Sequence, residues 1–140
     1  MKKAILCVLA FLAAGPAAAN PLAPFIDTWR PILIFAPDRY DQRIVEQKGR
    51  FSMHRREYRD RHVTLVEIGG PFMRAEGRGV PHGPEMRARF DVPNDRFTII
   101  LLDKDGAEQM RVHEVTDPLV FFEQIDTLPR RQEEMAREGG

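Results

Sequence analysis

Three short runs along this chain are mostly apolar or β-branched and end at residues that interrupt regular structure. Ile32-Leu33-Ile34-Phe35-Ala36 lies between Pro31 and Pro37. Val63-Thr64-Leu65-Val66-Glu67-Ile68 stops at Gly69, and Phe97-Thr98-Ile99-Ile100-Leu101-Leu102 stops at an Asp-Lys-Asp-Gly turn. Runs of this length without strict polar alternation predict strands buried on both faces.

Longer, polar segments with helical spacing separate them. Residues 38–61 are highly charged, with Ile44, Val45, Phe51 and Tyr58 near helical spacing. Phe51 and Tyr58 fall on one helix face. Asp38 or Asp41 can cap the start, and Gly49 weakens the middle by about 1 kcal/mol relative to Ala. The charges from His54 to Arg61 form a solvated outer face. From Gly69 to Gly83 the chain is rich in glycine, with Pro71 and Pro81, and reads as a long loop. Pro84 suits the first turn of a short helix to Phe90, with Met86 and Phe90 as an i, i+4 pair. Asp103-Lys104-Asp105-Gly106 predicts a tight turn with Gly106 at positive φ. A returning antiparallel strand follows from Glu108 to Val115, with Met110 and Val112 on one face. Asp117 caps a last helix whose stripe is Leu119, Phe122 and Ile125, widened by Phe121 and Leu128. Pro129 ends it, and residues 129–140 read as a polar tail. Before the first strand, residues 20–31 are Pro-rich and predict an irregular arm with Trp29 as an anchor.

The predicted order is β-α-β-α-β-β-α over residues 32–128. It describes an α/β domain: a mixed central sheet of about four strands between helices on both faces.

Residues 1–19 change the compartment. Lys2 and Lys3 precede an uncharged apolar run, Gly15-Pro16 breaks it, and Ala17-Ala18-Ala19 offers a cleavage site before Asn20. That is the pattern of a secretory signal peptide, with a run shorter than the roughly 18 residues a spanning helix needs. It predicts a periplasmic or secreted product of about 120 residues, enough for one domain, with no later membrane span. Cys7, the only cysteine, lies inside the leader. A product without it can form no disulfide and carry no redox thiolate. Loss of Lys2 and Lys3 tips the balance of 21 basic and 21 acidic residues slightly to the acid side. No general attraction to nucleic acid or anionic membrane is expected.

The element order is that of thioredoxins, and particular segments sharpen the likeness. Asn20-Pro-Leu-Ala-Pro, Arg30-Pro-Ile-Leu-Ile-Phe-Ala-Pro37, Phe97-Thr-Ile-Ile-Leu-Leu-Asp-Lys-Asp-Gly106, Pro118-Leu with Ile125-Asp126, and Pro129-Arg-Arg-Gln-Glu-Glu-Met135 occur in order. On these the chain resembles the family catalogued as domain of unknown function 4174, of bacterial exported proteins. The resemblance implies a thioredoxin-like three-layer sandwich and brings no activity with it. Thioredoxin chemistry does not carry over. The redox motif would follow the first strand, where this chain has Phe35-Ala36-Pro37-Asp38-Arg39-Tyr40-Asp41. The proline expected just before the third strand is replaced by Phe97. Thiol-disulfide oxidoreductase and thiol peroxidase activities are excluded on that chemistry.

The first-helix start is nevertheless where such a fold works. Free N–H groups and the positive helix end suit an anion there, and Arg39 and Arg43 could add charge-assisted hydrogen bonds. Asp38, Arg39, Tyr40, Asp41 and Arg43 are the candidate contacts, weighed against an ordinary capped helix. Phe72, Arg74 and His82 on the Gly-rich loop are further candidates, weighed against a variable insertion. His54, His62, His82 and His113 make no metal-ligand spacing. Asp103 to Gly106 lacks the remaining ligands of a calcium loop. Ser52 sits in no nucleophile elbow, and Gly77-Arg78-Gly79 is no phosphate loop. No catalytic, cofactor or metal site is assigned.

The reading that follows is a non-catalytic exported domain that binds a protein or envelope component. Two alternatives stay open: an enzyme using Asp38, Arg39, Asp41 and His82 for acid–base work, and a binder of small anions at the first-helix N-terminus.

Overall fold

The computed structural model describes residues 20–139 apart from 76, 77 and 81. The leader reading and Cys7 fall outside the described residues. The elements in chain order are β1 (Arg30–Ala36), α1 (Gln42–Ser52), α2 (Arg55–Asp60), β2 (Val63–Gly69), β3 (Phe72–Ala75), β4 (Arg78–Val80), α3 (Gly83–Phe90), β5 (Thr98–Leu102), β6 (Glu108–Val112), α4 (Pro118–Asp126) and α5 (Pro129–Glu138).

One sheet of six strands runs in the order β4-β3-β2-β1-β5-β6. β1 and β2 are parallel, in register from Arg30↔Val63 to Ala36↔Gly69, and all other neighbours are antiparallel. The two strands beyond the expected four are β3 and β4, inside the segment read as a loop. Their pattern was too short to see: β3 buries Met73 between exposed Phe72 and Arg74. Gly70, at φ +57°, makes the turn that starts this hairpin extension. Pro31 lies within central strand β1 rather than before it. Pairing with β5 begins only at Ile32, so the missing N–H costs no bond on that side.

The pleat sorts the apolar residues into two cores. Ile32, Ile34, Ile99 and Leu101 face Ile44 and Phe51 of α1 and Phe121, Phe122 and Ile125 of α4. Leu33, Phe35, Val66, Ile68, Ile100 and Leu102 face Met86 of α3 and Leu22 of the N-terminal arm. Each such side chain, fully buried, contributes about 1.5–3 kcal/mol. The result is three layers with the sheet in the middle. The arm forms a short 3₁₀ turn, Ala23–Phe25. Leu22 and Phe25 provide its apolar packing against the second core, while Trp29 is half-buried.

Two helical segments differ from expectation. The predicted helix over 38–61 is two helices, with a turn at Met53–His54 where His54 N–H bonds Phe51 C=O at 3.0 Å. Phe51 and Tyr58 still share a face, with ring centroids 6.1 Å apart. The segment read as a polar tail is helix α5, and what it buries is charged: Arg131 and Glu134. A search for apolar periodicity cannot find such a helix. Asp117 caps α4 through Leu119 N–H at 2.9 Å, as expected, and Gly106 adopts φ +84° in the β5–β6 turn.

Candidate functional site

The carboxyl ends of β1 and β2 lie side by side, and the chain leaves β1 through Pro37–Asp41 into α1. This turn is held down by a missing side chain. A Cβ on Gly69 would stand 2.7 Å from Arg39 N and closer still to Arg39 Cα, so only glycine lets the turn cross the end of β2. Beneath it lies Arg87 of α3, only 5% exposed. Its guanidinium donates to the carbonyls of Ala36, Ile68 (3.5 Å) and Pro93 (3.2 Å), joining the ends of both strands. Burial holds its pKa below the usual arginine value.

On the α1 side of these strand ends is a groove of about 510 Å³ lined by Arg39, Tyr40, Ile44, Glu67, Gly69, Phe72 and Arg74. Tyr40 is 69% and Phe72 43% exposed, high for side chains of that size. The Arg39 guanidinium stands 4.6 Å from the Tyr40 ring centroid and 5.7 Å from that of Phe72. It donates to Tyr40 Oη. Among the described residues it has no carboxylate partner, and neither has Arg74. Glu67, on the groove floor, is paired with Lys48 of α1.

Four of the sequence candidates therefore meet: Arg39, Tyr40, Phe72 and Arg74. The others do different work. Asp38 accepts Tyr40 N–H at 2.7 Å and shapes the turn. Asp41 caps α1, accepting Arg43 N–H at 2.9 Å. Its carboxylate is also gripped by the Arg43 side chain, Nε to Oδ1 at 2.9 Å and Nη2 to Oδ2 at 2.7 Å. That hydrogen bond holds the Asp41 pKa below its ordinary value. The α1 N-terminus is thus already served by an internal anion, the capped start expected of Asp38 or Asp41. Arg43 turns away from the groove to stack 4.7 Å from the Phe97 ring centroid. His82 lies before α3 and pairs with Glu85 at 3.1 Å, outside the groove, so the acid–base set of Asp38, Arg39, Asp41 and His82 does not assemble.

Sequence reading missed Glu67 and Gly69 as site residues, although Glu67 is the one charge inside an apolar strand run. It also missed a charged cluster at the opposite end of the sheet. Arg30, fully buried, donates to Asp103 (2.9 Å) and to both oxygens of Glu134 (3.0 and 3.1 Å). Lys104 Nζ adds 2.6 Å to Glu134 and 2.7 Å to His62 Nδ1. An ammonium only donates, so His62 accepts through Nδ1 as a neutral ring. Burial and the Lys104 charge hold its pKa down. Burial alone would raise the Glu134 pKa, but hydrogen bonds from Arg30 and Lys104 outweigh it and bring it to about 2. Three of the segments that carry the family resemblance, those holding Arg30, Asp103-Lys104 and Glu134, converge here.

Among the described residues no group of acidic, histidine or cysteine side chains is arranged to hold a metal. None of their helices is long and apolar enough to cross a membrane.

The chain is similar to the Sushi repeat-containing protein SRPX of Homo sapiens, 36% identical over 81 residues. It is 33% identical to the same protein of Rattus norvegicus over a stretch of equal length. Each match covers 54% of this chain and 18% of the relative, so the chain corresponds to under a fifth of those proteins. No solved structure matches. The family described as Domain of unknown function (DUF4174) matches residues 21–134, nearly everything the structure describes, and the chain belongs to that family.

Proposed function

We propose that this chain is a non-catalytic, thioredoxin-like exported domain, cysteine-free once residues 1–19 are removed, that binds a protein or envelope component through the groove at the carboxyl ends of β1 and β2. The observation that carries the reading is Arg39: an exposed guanidinium between two exposed aromatic rings, with no carboxylate partner among the described residues. A cation flanked by aromatics is a common composition for a protein-binding hot spot. The order β2-β1-β5-β6, with β1 and β2 parallel and the other two antiparallel, supports the thioredoxin-like reading. The leader pattern of residues 1–19 supports export and, in a bacterial envelope, the periplasm.

The reading is tested by placing a photo-crosslinking residue at Tyr40, and separately at Leu119 on α4, in the exported chain. Crosslinks to an envelope component are expected from position 40 and not from position 119. They should disappear when Arg39 is changed to Glu. Equal crosslinking from both positions, or crosslinks that survive Arg39→Glu, would sink it.

A further inference from the structure

The groove does not end at Arg74. A second hollow of about 410 Å³, lined in part by Trp29, Tyr58, Arg59 and Leu65, shares both Glu67 and Arg74 with the first. The two adjoin at these residues, giving a channel in two segments along β2, and the topology explains it. β2 alternates Val63, Leu65, Glu67 and Gly69 toward the α1 side of the sheet, and register places Arg74 opposite Glu67 and Phe72 opposite Gly69 on that same side. β3 and β4 extend the sheet beyond β2, and Ile44 and Lys48 of α1 with Tyr58 and Arg59 of α2 line the hollows on this face. Seven residues of β2 make the channel about 20 Å long.

Its chemistry is one-sided. Arg39 lies at one end, Arg74 in the middle and Arg59 at the other end. None of the three has a carboxylate partner among the described residues. Glu67, the lone acid in the lining, is already neutralised by Lys48. Aromatic rings stand at both ends: Tyr40 and Phe72 at one, Tyr58 and Trp29 at the other. β3 pairs with Val66–Gly69 only. In the first half of β2, Leu65 N–H is satisfied by Tyr58 Oη at 3.1 Å instead of by a strand.

We infer that the channel's occupant is an extended, acidic polypeptide segment lying along β2, with carboxylates on Arg39, Arg74 and Arg59 and apolar or aromatic side chains between them. This rests on the proposed binding groove and names its ligand class. The same-side residues of β2 recur about every 6.6 Å, the repeat of alternate side chains in an extended peptide. An anionic polysaccharide shares the charge but not the regular alternation of side chains that would seat apolar groups between the arginines.

The test uses the chain purified after export and a fluorescent peptide of alternating Glu and Tyr, about six residues long to span β2. Controls are the Lys-Tyr analogue, a half-length Glu-Tyr peptide and a heparin-derived oligosaccharide. Saturable binding of the Glu-Tyr peptide is expected, weakening as salt rises, with none for Lys-Tyr. Arg39→Glu and Arg59→Glu should each weaken it about tenfold or more, and the half-length peptide should lose a similar factor. Weakening by Arg39→Glu with no effect of Arg59→Glu would overturn the extended-channel inference and leave the groove reading standing. Binding of the oligosaccharide without the peptide would overturn the peptide assignment. Loss of both peptide binding and the Tyr40 crosslink would overturn both.

Discussion

Arg30 and Glu134 are 104 positions apart in sequence and meet in a two-pronged ion pair, Nη1 to Oε2 at 3.0 Å and Nη2 to Oε1 at 3.1 Å. The pair ties the first residue of β1 to the middle of α5. Lys104 shares the same carboxylate, so removing its charge would leave buried Lys104 with no carboxylate partner among the described residues and buried Arg30 with Asp103 alone. Breaking a buried pair from one side costs about 3–5 kcal/mol. Glu134→Gln is therefore expected to lower the melting temperature by more than 10 °C, since each kcal/mol is worth roughly 4–8 °C in a domain of this size. A loss under about 1 kcal/mol in urea unfolding would show that the cluster does not hold α5 in place.

Stability should fall in acid in a window set by the same residue. Glu134 has its folded pKa near 2, against an ordinary 4.5. A carboxylate with a depressed folded pKa contributes fully above the unfolded value, and that contribution is lost as pH falls through the folded one. The expected loss lies between about pH 4.5 and pH 2 and is on the order of 3 kcal/mol. Asp126 adds in the same direction: burial raises its pKa, but Arg61 and Arg131 outweigh that. His62, with its pKa lowered, favours the folded state when neutral, so its share is complete above the ordinary 6.5 and declines below it. Unfolding free energies of the wild type and Glu134→Gln, measured against pH, should converge toward pH 2. Parallel curves would contradict the assignment.

The buried strands and the short capped helices were legible because they follow apolar patterns. β1 and β5 hold continuous apolar runs, β2 holds one interrupted at Thr64 and Glu67, and Asp117 is a capping residue directly before an apolar stripe. What stayed hidden is held by charge or by glycine. α5 buries Arg131 and Glu134, which look like a solvated face until Arg30 and Lys104 are seen beneath them. β3 has one buried residue, Met73, too few for a period to emerge. At the site, Arg39, Tyr40, Phe72 and Arg74 could be named from the position of the turn and the loop. That they meet while His82 does not depends on the β2–β3 register, which local sequence does not encode.

Gly49 should be a site of easy stabilisation. It lies within α1, and a Cβ there would meet nothing within 4 Å. Glycine inside a helix costs about 1 kcal/mol relative to alanine through backbone entropy. Gly49→Ala is expected to raise stability by about 0.5–1 kcal/mol and the melting temperature by a few degrees. It should not change peptide binding, because position 49 is not in the groove lining. A lower melting temperature would mean that α1 has a constraint at this position that its open surroundings do not reveal.

Gly69→Ala should do the opposite, and for a reason that links the fold to the groove. The Cβ would fall on the Arg39 backbone, at 2.7 Å from its nitrogen, and backbone cannot swing aside as a side-chain tip can. Either β2 shifts against β1 or the Pro37–Asp41 turn lifts. β2 is fixed by pairing with β1 over its whole length and by Arg87 on the Ile68 carbonyl, so the turn is the part that yields. Overpacking of this kind costs about 1–3 kcal/mol. It also carries Arg39 away from Phe72. Gly69→Ala is therefore expected to lose both stability and binding of the Glu-Tyr peptide. Arg39→Ala, an exposed truncation, should lose binding while staying within about 0.5 kcal/mol of the wild type. Urea unfolding and fluorescence anisotropy on the two variants separate the effects. Full peptide affinity in Gly69→Ala would mean that the turn's seat on β2 does not set the position of Arg39.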